Sequence, residues 1–262
     1  MTQLIRLPDK TNRLVGQAMH DYGMLANGDR VLVAVSGGVD SLVLVHLLHA
    51  WQRKAPISYQ LVAVHVDMDA SEQGPSAFAC AIRAQLAKNG LELSIVAAKR
   101  PPVRTVVGSE TDAAGERVDA GVCFVCARTR RLRLFAEARH LACNKIAFGH
   151  HQDDLIETFL LNLTCAGNIS TMRPRQDLFE GRLALIRPLA YVEKQDIEQV
   201  ALINGLEAIP SSCPLGERTR RSDMRHLAAE IYKRIPGSKK NMFAALGNVR
   251  NAYLLNNGRM AR

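Results

Sequence analysis

The chain is short of aromatic residues, which make up 5% of its 262 residues with a single Trp. No aromatic-rich repeat is present, which argues against a separate RNA-binding module built on base stacking. No run of about 18 uninterrupted apolar residues occurs, which excludes a membrane-spanning helix. The N-terminus has no signal-like pattern, so the expected location is the cytoplasm. There is no internal repeat and no low-complexity segment. Acidic residues are outnumbered, with 25 Asp+Glu against 34 Lys+Arg, for a net charge of +9. Most of that excess lies between Pro214 and Arg262, which hold 11 Lys/Arg and 3 Asp/Glu. A polyanionic partner suits this distribution, although a solvated basic helix face would look the same. Apolar content of 47% and charged content of 23% mark an ordinary globular chain, long enough for one large core with or without a small appendage.

Against that background Val31 to Val35, five apolar residues in a row, read as a strand buried on both faces. The apolar run from Leu42 to Leu48 reads as a buried helix. Between them lies Ser36-Gly37-Gly38-Val39-Asp40-Ser41. Two glycines allow close backbone approach to an anion, two serines add hydroxyl donors, and the first turn of the helix supplies N–H groups. An ordinary tight strand-to-helix turn is the plainer alternative, but the full hexapeptide after a buried strand is more specific than a Gly-Gly pair. The Gly-Lys-Ser/Thr of a Walker loop is missing. The hexapeptide resembles the loop of the PP-loop ATP pyrophosphatase superfamily, which cleaves ATP between its α- and β-phosphates and adenylates a substrate.

Further strands are expected at Tyr59–Asp67, Leu91–Val96, Asn144–Phe148 and Leu183–Arg187, separated by helical patterns at 75–89, from the Cys123 region to Leu141, and at Leu155–Leu163. This alternation predicts an α/β fold, a doubly wound, mostly parallel sheet of five strands. Helices are also expected at Val192–Asn204, 222–234 and 238–256. The expected organisation is an N-terminal helical extension over 1–28, an ATP-binding domain over 29–205, and a basic C-terminal helical segment over 206–262. Open α/β sheets bind ligands at the carboxyl ends of their strands. That rule selects His65, Asp67, Gly149 and Arg187 as nucleotide-site candidates, and the stretch after Gly149, His150-His151-Gln152-Asp153-Asp154, puts two histidines and two carboxylates at the same strand end. The carboxylates Asp153 and Asp154 could cap their helix or hold the magnesium that accompanies a triphosphate.

Six cysteines without a secretory signal point to metal binding or reactivity rather than disulfides. Cys123 and Cys126 have the spacing of metal ligands and precede a helical run, with Arg128, Arg130, Arg131, Arg133 and Arg139 nearby to favour thiolate. The pair alone fits zinc, an iron–sulfur cluster, a redox pair or chance. Cys213, in a loop between Pro210 and Pro214, is the best third ligand, because Cys80, Cys143 and Cys165 lie in or beside core elements, where free cysteine is common packing material.

Taken in order, the phosphate loop, Cys123-x-x-Cys126-x-Arg128-x-Arg130-Arg131, Gly149-His150-His151-x-Asp153-Asp154, the later Cys213 and the closing stretch from Arg234 to Val249 resemble the TtcA-type tRNA 2-thiocytidine synthetases, from about residue 5 to 250. The resemblance implies an ATP-dependent sulfurtransferase whose 4Fe-4S cluster is held by Cys123, Cys126 and Cys213, with zinc as the rival occupant. It implies that ATP, accompanied by Mg2+, binds at Ser36 to Ser41, and that a tRNA pyrimidine is adenylated and then sulfurated. Asp154 is the first catalytic candidate and Asp153 the second, with Asp40 near the metal and Arg130 placed to neutralise developing charge. Expected partners are tRNA and a sulfur donor such as a cysteine desulfurase or free sulfide, with no membrane; a homodimer is left open. Two other classes share these motifs: ATP-dependent sulfuration or amidation of a small molecule, and a non-enzymatic cluster-bearing nucleotide or redox sensor.

Overall fold

A computed structural model describes residues 5–99, 120–210 and 220–255. The chain divides into two compact units, one formed by residues 1–153 and 173–219, the other by 154–172 and 220–262.

The first unit is built on a six-stranded sheet, one strand more than expected. Its strands are β1 (Arg30–Ala34), β2 (Gln60–Asp67), β3 (Leu93–Ala97), β4 (Lys145–Ala147), β5 (Arg175–Leu178) and β6 (Leu183–Ile186), in the order β3-β2-β1-β4-β6-β5. All neighbours are parallel except β5 and β6, which form an antiparallel hairpin at the edge. The hairpin turns on Phe179, Glu180 and Gly181, all with positive φ. The strand missed by sequence is Arg-Gln-Asp-Leu: an edge strand draws its hydrogen bonds from one neighbour and can face water, so it needs no apolar run.

Side chains of β1 alternate as the pleat requires. Val31 and Val33, with Val35 beyond the strand end, join a core with α1 (Asp9–Asp21), α2 (Val39–Gln52), α3 (Ala77–Ala87) and α6 (Lys194–Ile203). Leu32 faces the other side, toward Leu134 and Ala138 of α4 (Ala120–His140). Helices on both faces explain why β1 reads as an unbroken apolar run. The sheet is doubly wound: from β1 the chain moves through β2 to β3 in one direction, then returns to β4 on the other side of β1. That reversal opens a crevice at the carboxyl ends of β1 and β4.

Two close contacts shape the crevice. Gly37 has φ +90, and a Cβ there would stand 2.8 Å from Ile82 Cδ1. A Cβ on Gly149, after β4, would stand 2.9 Å from the Asp40 carbonyl carbon and 3.0 Å from Ser41 N. The turn after β4 therefore lies directly against the start of α2.

Helix α5 (Gln152–Cys165) starts in the first unit and continues in the second. The second unit also contains α7 (Arg220–Arg234) and α8 (Ser238–Ala245), and packs Ile156, Leu160 and Ala228 with Met224, Tyr232, Met242 and Phe243. Helix α8 is shorter than the expected 238–256. It stops just before Gly247, and a single 3-10 turn covers Asn251–Tyr253, as expected where glycine ends a helix. Among the described residues no helix is long and apolar enough to cross a membrane.

Buried inside α2 is His46, whose Nδ1 donates to the Leu42 carbonyl at 2.7 Å. Burial pushes its pKa below the ordinary 6.5, opposed by the Leu42 bond and reinforced by His49. Below pH 6.5 the unfolded chain then binds more protons than the native one at this position, so stability falls as pH drops. A His46→Leu variant should lose stability less steeply below pH 6.5 in urea titrations, whereas identical slopes would contradict a neutral buried imidazole. Gly149→Ala should cost about 1–3 kcal/mol, because the added methyl meets backbone rather than a movable side chain. An unchanged urea midpoint would refute the close approach.

Candidate functional site

Helix α2 opens at Gly38 without a side-chain cap, so its first-turn N–H groups are available to an anion. The loop before it is held by its own hydroxyls. Ser36 N donates to Ser41 Oγ at 3.1 Å, and Ser41 Oγ donates to the Gly38 carbonyl at 2.8 Å. Gly38 N reaches Ser36 Oγ at 3.4 Å. Outside the loop, Ile209 N donates to the Gly37 carbonyl at 3.0 Å. Val39, the first residue of α2, packs against the core, and Asp40 follows it in the first turn. Rigid bonding around an uncapped helix start is what a phosphate cradle requires, since backbone donors must be fixed before the anion arrives.

Asp40 is the hub of a polar cluster. Its Oδ1 accepts from Lys194 Nζ at 2.6 Å and lies 3.8 Å from His151 Nε2. The other ring nitrogen of His151 lies 3.7 Å from Asp153 Oδ2, and the same carboxylate accepts from the Lys194 backbone N–H at 2.9 Å. Asp153 thus holds the start of α6 from outside that helix. Neither Lys194 nor His151 was selected as a site residue from sequence. The one available signal for Lys194 was a cation in a helix's first turn, where the dipole disfavours it.

The β2 end contributes two buried residues with different contacts. His65 Nδ1 donates to the Val35 carbonyl at 2.8 Å, leaving Nε2 as the acceptor, and the ring meets Phe78 edge-on. Burial pushes its pKa below 6.5; the Val35 bond and Asp67 oppose this, and the positive charge of Arg130 adds to it. Arg130, exposed on α4, is therefore close enough to act electrostatically on this strand end. Both oxygens of Asp67 are engaged by backbone, from Asp69 N at 3.0 Å and Ser76 N at 2.7 Å, which fixes the turn before α3. Arg187 is buried and donates through Nε to His150 Nδ1 at 3.2 Å and through Nη1 to the Arg173 carbonyl.

Cys126 is a free, buried thiol on the first turns of α4, and Cys123 precedes it by three residues on the same helix. The side chain of Cys123 and all of Cys213 lie outside the described residues. Cys80, Cys143 and Cys165 are free as well, and burial raises the pKa of Cys143, as expected of a packing thiol. Among the described residues no three His, Cys, Asp or Glu side chains converge as a metal site.

In the second unit Asp154 accepts from Arg221 Nη2 at 2.7 Å. Buried Glu157 takes Arg221 Nε at 3.2 Å and Arg225 Nε at 2.8 Å. The neighbouring carboxylates Asp153 and Asp154 thus have separate partners, a lysine backbone for one and an arginine for the other.

Residues 8–230 match the PP-loop domain family. The chain is 37% identical over 254 residues to the tRNA-cytidine(32) 2-sulfurtransferase of Syntrophotalea carbinolica, covering 95% of this chain and 93% of that protein. It is 37% identical over 252 residues to the protein of the same name in Geobacter sulfurreducens, covering 94% and 92%. In fold it is similar to the U34-tRNA thiolase NcsA from Methanococcus maripaludis, solved with its [4Fe-4S] cluster, at a TM-score of 0.67 and 22% identity over 91% of this chain and 77% of that one. A phosphate loop on a doubly wound sheet and this extent of sequence identity agree: the chain belongs to the PP-loop family and, within it, to the tRNA-cytidine(32) 2-sulfurtransferases.

Proposed function

We propose that the protein, acting in the cytoplasm, uses ATP to replace the 2-oxo oxygen of a tRNA cytidine with sulfur; the names of its relatives support the substrate and the sulfur transfer, and the PP-loop domain supports the use of ATP. The observation that carries this is the pre-bonded Ser36–Ser41 loop before the uncapped start of α2. A carbonyl oxygen is a poor leaving group. Its attack on the α-phosphorus of ATP forms the C–O–P ester and expels pyrophosphate, which the loop and helix start stabilise as charge develops. A sulfide-level sulfur then adds at C2, and the C–O bond breaks with AMP carrying off the original oxygen. No net redox change occurs. The sulfur comes from a donor such as a cysteine desulfurase or free sulfide.

The cysteine chemistry follows the same reading. Cys126 fits a soft-metal ligand, being a buried free thiol one turn after Cys123, and with Cys213 it would hold a 4Fe-4S cluster in preference to zinc. Bound by three thiolates, such a cluster supplies an iron open to sulfide. Magnesium would arrive on the triphosphate and need only one or two protein carboxylates, for which Asp40 is the residue beside the loop. His65 and Gly149 line the nucleotide side of the crevice; Arg130 offsets negative charge near the β2 end. Exposed Arg128, Arg131 and Arg139 on α4 and the basic α7 provide phosphate contacts for tRNA. Unstacking the target base costs a few kcal/mol, which such contacts offset.

The test is nucleoside mass spectrometry of tRNA incubated with the anaerobically purified protein, ATP, Mg2+ and sulfide. A 2-thiocytidine peak that depends on ATP is expected, and Cys126→Ala should abolish it while leaving ATP binding intact. Thiolation of a free nucleoside or small molecule instead of tRNA would overturn the substrate assignment. The two acidic neighbours should separate in the same assay. Asp154→Asn should lower thiolation by about 100-fold or more, the scale of a group that acts on proton or charge transfer. Asp153→Asn should cost about 1 kcal/mol of stability through the α6 start and keep most activity. The reverse pattern would assign the chemistry to Asp153.

A further inference from the structure

Lys194 stands where its own helix disfavours it. It is the first residue of α6, after the N-cap Glu193, and a cation in the first turn opposes the helix dipole. Its Nζ is held instead by Asp40 at 2.6 Å. Asp40 belongs to a loop, Ser36 to Ser41, that contains one carboxylate and no Lys or Arg. A loop that receives several phosphates by backbone and hydroxyl donors alone leaves their charge uncompensated. Among the described residues Lys194 is the Lys or Arg that reaches this loop through a side-chain contact, and the stretch that follows α6 grips the same loop from outside, through Ile209 N and the Gly37 carbonyl. The lysine and aspartate side chains are 35% and 30% exposed. An ion pair that open adds little to stability, yet it stays within reach of an incoming ligand.

We propose that Lys194 is the phosphate-loop cation of this protein: its ammonium contacts the β- and γ-phosphate oxygens of bound ATP, and Asp40 holds it over the loop before ATP arrives. An ammonium has three donors and no acceptor, so one can remain on Asp40 while others serve phosphate oxygens. The contact favours a nucleotide with a pyrophosphate moiety over a monophosphate. Asp153, on the Lys194 backbone N–H, and His151, between the two carboxylates, fix where the lysine starts.

This inference rests on the ATP-dependent reading above, and calorimetric titration of the full-length protein with ATP and, separately, AMP distinguishes the two. Wild type should bind both. Lys194→Met should weaken ATP by about tenfold or more, the scale of a lost hydrogen bond to a charged group, while AMP changes less than about twofold. Lys194→Arg, which keeps the charge, should recover most of the ATP affinity. Unchanged ATP affinity in Lys194→Met would overturn the proposal and leave the ATP-dependent reading standing. An equal loss for ATP and AMP would also overturn it, marking Lys194 as a support for Asp40 alone. A wild-type protein that binds neither nucleotide would overturn both.

Discussion

The site depends on one close approach, the backbone of Gly149 against the backbone of Asp40 and Ser41. These residues follow β4 and β1, the neighbouring strands between which the sheet reverses its winding. Any larger side chain at 149 would wedge the two turns apart. Because they touch, the phosphate loop, the His151 imidazole and the Lys194 ammonium are gathered within a few side-chain lengths around a single carboxylate, Asp40. The crevice is a consequence of topology; its usable chemistry is a consequence of that glycine.

Around Asp40 the polar groups fall into two kinds. Ser36, Ser41, Asp67 and Asp153 spend their hydrogen bonds on the protein's own backbone or on one another, and this fixes the loop, the α3 turn and the start of α6 in advance. Lys194 and the uncapped start of α2 remain directed at the loop. Preorganisation of this kind lets a site stabilise developing phosphate charge without reorganising during the reaction. His65, buried and held neutral with Nδ1 bonded to Val35, presents an acceptor nitrogen at the next strand end. The Cys126 thiol sits on α4, the helix that covers the opposite face of the sheet from α2.

The parallel core was legible because strands buried on both faces leave long apolar runs, and because glycine and asparagine mark where helices stop. The β5 strand was not, since Arg175, Gln176 and Asp177 take their order from the β6 backbone rather than from any pattern of their own. The end of the chain also differed: apolar residues beyond Ala245 suggested a helix that Gly247 ends. Within the candidate site, Ser36 to Ser41, His65 and Gly149 were legible as motif or strand-end residues. Lys194 was invisible because its role lies in a contact 154 residues away in sequence, and periodicity carries no information about such contacts. The identities of Asp153 and Asp154 were equally plain, but only their partners, the Lys194 backbone and Arg221, distinguish them.

The central claim is that ATP is split at its α-phosphate to activate an RNA carbonyl oxygen. Its most direct measurement is the product balance of a reaction with tRNA, sulfide and α-labelled ATP, followed by chromatography of the nucleotides and of the digested tRNA. One AMP and one pyrophosphate for each thionucleoside formed, with no AMP in the absence of tRNA, is the result the account predicts. ADP and phosphate as products, or AMP released at the same rate without tRNA, would contradict it.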